Sequence, residues 1–83
     1  MNKKDALKLN QLLEKLISID LELNSIYEAE DEKFERLSEG LRDAPIGIKI
    51  DEIRTGLGDA LQSLSEVTEI ISDILKSEEN TSK

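Results

Sequence analysis

Eighty-three residues amount to one small domain, short of the ~100–200 of a typical one, and a chain of that size needs a staple or a partner to supplement its core. No cysteine, histidine or tryptophan is present, which removes disulfides, thiolate nucleophiles and the usual zinc ligands. Acids outnumber bases 19 to 11 for a net charge of −8, so a charged partner should be basic, and direct binding to nucleic acid or an anionic membrane is disfavoured.

Asn2 with Asp5 three residues on marks a helix start. Apolar residues then fall at Leu9, Leu12, Leu16, Ile19, Leu23 and Ile26, the alternating three- and four-residue spacing of heptad positions a and d. Ala6, Leu13, Tyr27 and Phe34 add a flank at position e. Gly40 reads as the residue closing this helix, Asp43 as the cap of a second, and Pro45 as part of its first turn. The second helix repeats the spacing at Ile50, Ile53, Leu57, Ala60, Leu64, Val67, Ile71 and Ile74, flanked by Leu61, Ile70 and Leu75. The expected architecture is all-α: a helix over about 3–39, a turn at 40–43, a helix over about 44–76 and a fraying polar tail at 77–83. So short a connection makes the helices antiparallel neighbours, with facing residues whose numbers add to about 85–88. No apolar run nears the ~18 residues of a membrane span, and no apolar stretch follows the N-terminal lysines, so neither a span nor a signal peptide is expected.

Both apolar stripes are wider than a two-helix zipper uses. The seam formed by Leu16, Ile19, Leu23, Ile26, Tyr27, Phe34, Ile53, Leu57, Leu61, Leu64, Ile71 and Ile74 therefore predicts self-association, most simply two hairpins forming a homodimeric four-helix bundle.

Candidate chemistry is sparse. Glu28, Glu30, Asp31, Glu32 and Glu35 crowd one stretch, but a metal-binding bundle pairs its glutamates with histidine, and a Ca²⁺ loop needs a glycine turn, so a solvated acidic face is the better reading. Glu30 sits at position a, opposite Arg54, and an interhelical ion pair between them is expected. Gly56 and Gly58 lie inside the second helix across from Tyr27 and Phe34, where missing side chains allow close helix approach. Glycines 47, 56 and 58 match no phosphate-binding loop, and without histidine or cysteine no familiar nucleophile can be activated. The chain reads as a non-enzyme with no cofactor and no metal. Charge placement carries more. Six acids and no base lie from Leu16 to Glu32, and four acids and no base from Thr55 to Leu75. Asp20, Glu28, Glu30, Asp31, Glu32, Glu35, Asp59, Glu66, Glu69 and Asp73 are thus the candidate interaction surface for a basic protein partner.

The residues around the turn, Tyr27-Glu28 through Glu35, Leu37-Ser38-Glu39-Gly40-Leu41, Asp43, Gly47-Ile48-Lys49, Asp51-Glu52 and Leu57…Ala60-Leu61…Leu64, resemble a group of small acidic helical-hairpin proteins of bacteriophages, prophages and other mobile elements. The resemblance spans roughly residues 26–75 and implies an α-hairpin with an accessory phage role in the cytoplasm of a bacterial host; it supplies no catalytic residues. Ser38-Glu39-Gly40 also sits where small secreted hairpin proteins carry a W-x-G turn, but tryptophan and the C-terminal export motif are absent. The leading expectation is a homo-oligomeric interaction protein. The alternatives are an acidic inhibitor that imitates DNA against a host DNA-binding or defence protein, and a small-ligand sponge.

Overall fold

A computed structural model describes residues 1–81, and Ser82 and Lys83, the end of the expected tail, lie outside the described residues. The described residues are all-α: α1 spans Lys3–Glu35, α2 Glu39–Arg42 and α3 Pro45–Thr81, with no strand. Asn2 caps α1 as its chemistry predicts: its backbone is extended, and its side-chain oxygen accepts from the Asp5 N–H at 2.7 Å.

The first helix stops four residues short of the expected boundary. Arg36 and Leu37 donate back to the carbonyls of Glu32 and Phe34 at 3.1 Å, tightening the last turn, and Ser38 then turns extended and starts α2. Arg42, on α2, donates from Nη2 to the Glu35 carbonyl at 3.2 Å, satisfying an acceptor that the end of α1 leaves open. Gly40 consequently closes nothing. It lies inside α2, and no glycine of the described residues has positive φ. Asp43 is not the cap of α3 either. Proline excludes helical geometry from the residue before it, so α3 begins at Pro45, and the Ala44 carbonyl accepts its first bond, from Ile48 N–H at 3.0 Å.

α1 and α3 lie alongside each other with opposite chain direction. The Met1 amine pairs with Glu78 at one end, and Asp31 pairs with Arg54 toward the other. This register explains why α3 continues to Thr81 where a frayed tail was expected: residues 78 and 79 are needed opposite the start of α1, where they border Met1, Asn2 and Ala6. Among the described residues Gly47 alone is buried, and no side chain is fully enclosed. The Cα trace is a rod of 62 × 15 × 14 Å with a radius of gyration of 18.4 Å, against about 12 Å for a compact chain of this length.

Candidate interaction surface

The apolar seam divides into two stripes. Half-buried residues on α1 are Ala6, Leu9, Leu13, Leu16, Leu23, Tyr27 and Phe34, and on α3 they are Ile50, Leu57, Leu61, Leu64, Ile71 and Leu75. These are positions a and e, so α1 and α3 meet along the flank rather than along a and d. Two helices offer each other one contact direction, and e carries the two rings. Tyr27 comes to Gly58, where an added Cβ would sit 3.7 Å from its Cε2, and Phe34 receives the Arg54 guanidinium 3.8 Å from its centroid.

Position d is left to solvent. Leu12, Ile19 and Ile26 on α1, and Ile53, Ala60, Val67 and Ile74 on α3, are exposed, from 39% at Ile53 to 52% at Ile26 for the large residues. Each d position lies about 80° round the helix from the a/e direction, in the same rotational sense on both helices. Because the helices run oppositely, equal rotation brings both d rows to the same side of the pair. The numbers of Tyr27 and Gly58, and of Asp31 and Arg54, add to 85. To within one residue, that register sets Leu12 level with Ile74, Ile19 with Val67, and Ile26 with Ala60: one apolar ladder along one face.

The acidic candidates divide as well. Glu30 does not pair with Arg54; it accepts from Lys33 one turn along its own helix at 2.8 Å. Arg54 instead binds Asp31 at 2.8 Å and Asp51 at 2.9 Å, with Glu35 at 3.7 Å. Residues 30 and 31 stand about 100° apart around α1, and Arg54, whose guanidinium lies over the Phe34 ring, pairs with Asp31. The hydrogen bond to Asp51 first, and that to Asp31, hold the Arg54 guanidinium above its ordinary range, so it stays charged. Arg42 reaches Glu35 at 3.6 Å and lies 5.2 Å from the Phe34 centroid, and Arg36 reaches Glu32 at 3.7 Å. Glu28 accepts from Asn24 at 3.2 Å. Four of the five acids of the densest stretch are therefore paired with bases of the same chain, Glu28 being the exception. Among the described residues no group of three acids converges on a metal-sized site. Asp20 is half-buried on the a/e seam.

Apart from Asp20 and Glu28, the candidate acids without an ion pair among the described residues are on α3. Asp59, Glu66, Glu69 and Asp73 are exposed and make no ion pair among the described residues, and neither do Lys8 and Lys15 on α1. No family model matches the chain, and no curated protein or solved structure matches it. Function must come from the surface alone.

Three features of this surface escape the sequence reading. Arg42 is one, a turn residue that serves both the α1 carboxyl end and Phe34. Gly47 is another: a Cβ there would overlap the carbonyl oxygens of Leu41 and Arg42, so glycine is what seats α2 on α3. The third is the choice of e over d as the inner row. An Arg-x-x-x-x-Gly spacing carries no recognisable signal, but two rings at e opposite a glycine could have indicated the choice of row.

Proposed function

We propose that the chain is a non-enzymatic interaction protein whose unit is a helical hairpin, and that it works as a homodimer forming a four-helix bundle. The observation that carries this reading is the uncovered ladder of Leu12, Ile19, Ile26, Ile53, Val67 and Ile74. A contiguous apolar face of that kind is an interface. Its size is adequate. The accessible surface is 6367 Å², whereas a folded monomer of 9.3 kDa has about 5,000 Å². The excess of about 1,400 Å² per copy, if covered in both, falls among obligate homodimer interfaces. Adding a second hairpin on the d face also turns a and d into a common core, which is the packing of a four-helix bundle.

The turn region's likeness to small acidic phage proteins suggests an accessory role in a bacterial host, with a basic protein as the further partner. An acidic inhibitor imitating DNA ranks second, supported by the unbalanced α3 acids. Its charge is thin for such imitation. A net charge of −8 over 62 Å gives one charge per about 8 Å, or about 4 Å in a dimer, against 1.7 Å for duplex DNA. A ligand sponge has less support, since the groove beside Met1, Ala6, Leu7 and Leu75, about 470 Å³, is open to solvent.

Solution mass across a dilution series tests the reading. The expected species is twice 9.3 kDa, with a melt that falls on dilution. Ile19→Glu with Val67→Glu should reduce it to one chain. Leu21→Glu, on an exposed residue away from the ladder, should leave it dimeric. A single chain at all concentrations with a concentration-independent melt overturns the proposal.

A further inference from the structure

We infer that the second copy lies on the d face with its turn at the same end as that of the first, so that α1 of one protomer runs beside α3 of its partner. This inference rests on the homodimer reading and adds the arrangement. Two arrangements of two hairpins keep every neighbouring pair antiparallel. Turns at the same end set α1 against the partner's α3; turns at opposite ends set α1 against α1 and α3 against α3. The residues bordering the new contact are those at position g, next to d on the outer edge. On α1 these are Lys8, Lys15, Glu22 and Ala29, and on α3 they are Gly56, Ser63, Ile70 and Ser77.

Charge separates the two arrangements. Behind the α3 edge runs an acid at every seventh residue: Glu52, Asp59, Glu66 and Asp73. With turns together, the register of 85 carries across. Lys15 then falls opposite Ile70 between Glu66 and Asp73 of the other copy, and Lys8 falls opposite Ser77 near Asp73. Lys8 and Lys15, which lack an ion pair in the protomer, thus reach α3 acids that also lack one. With turns apart, the acidic row of α3 lies against its own copy and Glu22 meets Glu22, whereas with turns together Glu22, opposite Ser63, is the one residue of the α1 edge that meets like charge, from Asp59 and Glu66. Contacts of this kind decide orientation more than affinity.

Gly56 adds an independent observation. A glycine inside a helix is unfavourable, yet a Cβ at Gly56 would meet nothing within 4 Å. The protomer therefore gives no use for the missing side chain. With turns together Gly56 faces Ala29 of the other copy, and the absence of a side chain lets α1 and α3 approach closely there.

The chain has no cysteine, so introduced thiols report without background. Two single variants, Glu22→Cys and Ser63→Cys, are oxidised separately and after mixing and exchange, and the products are weighed. With turns together, residue 22 lies beside residue 63 of the other copy, while each residue is diagonal to its own counterpart. The expected result is a disulfide-linked mixed dimer as the dominant product, and little self-linked dimer from either variant alone. Self-linked Ser63→Cys dimer places the turns at opposite ends and overturns the arrangement while leaving the homodimer standing. A dimer by mass with no cross-link in any sample places the interface elsewhere and overturns it too. A single chain by mass overturns the homodimer reading itself. Should Glu22→Cys unfold, Ser25→Cys replaces it in the mixed sample, and the Ser63→Cys sample alone still distinguishes the two arrangements.

Discussion

Two glycines of α3 have opposite duties although the sequence presents them alike. At Gly47 the backbone of α2 is so close that a methyl group would collide with the Leu41 and Arg42 carbonyls, neither of which can rotate away. At Gly58 a methyl group would stand 3.7 Å from the Tyr27 ring, an ordinary contact. Gly47→Ala should therefore destabilise by about 1–3 kcal/mol, the usual cost of overpacking. Gly58→Ala should stabilise by up to about 1 kcal/mol through helix propensity. Urea melts at one protomer concentration check both, and a Gly47→Ala protein as stable as the parent would show that α2 is not seated on α3 as described. The same contrast between like residues governs the acids. Asp31 was readable as surface charge and is instead the anchor of Arg54, because the guanidinium that stacks on Phe34 can reach only the carboxylates around that ring.

Elements were legible in kind and less so in extent. Periodicity specified two long helices, and capping chemistry placed the start of α1 at Asn2. The ends that moved are those set by contact with another element: α1 closes where Arg42 can reach Glu35, and α3 continues to meet Met1. That last contact has a pH signature. Hydrogen bonding to Glu78, reinforced by its charge, raises the Met1 amine above its ordinary value of 8.0. A raised amine contributes stability that is complete below its unfolded pKa and is lost as pH rises through the folded one. Amide exchange in the first turns of α1 should thus accelerate, beyond its intrinsic pH dependence, above about pH 8. Acetylating the amine should remove the excess acceleration; an unchanged profile after acetylation would mean that the amine does not hold the helix end.

At the scale of the molecule, net charge opposes compactness. The chain carries −8, and a dimer brings two such bodies together, so the associated state concentrates like charge that the unfolded chains disperse. Lowering the pH toward the sequence pI of 4.5 reduces the net charge and so relieves that repulsion. Stability rises as pH falls wherever the unfolded state binds fewer protons. The opposing loss of surface ion pairs is small, about 0–1 kcal/mol each. The melting temperature should be higher at about pH 5 than at pH 8 in low salt, and the difference should shrink in high salt. A steady fall from pH 8 to pH 5 would show that ion pairs such as Asp31–Arg54 outweigh the repulsion, and would assign the acidic residues a structural role.

The all-α class, the helix periodicity and the breadth of the apolar stripe were determined by the sequence alone, because each depends on residues a few positions apart along one helix. Which part of that stripe faces the other helix is a different kind of question. Rows d and e of α1 both carry large apolar residues, Ile19 and Ile26 in one and Tyr27 and Phe34 in the other. Only packing the two helices decides between them. The rings at e meet Gly58 and the Arg54 guanidinium, and that contact leaves Ile19, Ile26, Ile53 and Ile74 outward. The tertiary structure likewise decided which acids are balanced. Whether Asp31 or Glu30 meets Arg54 depends on helix rotation and the reach of one guanidinium, quantities that no spacing along the chain encodes.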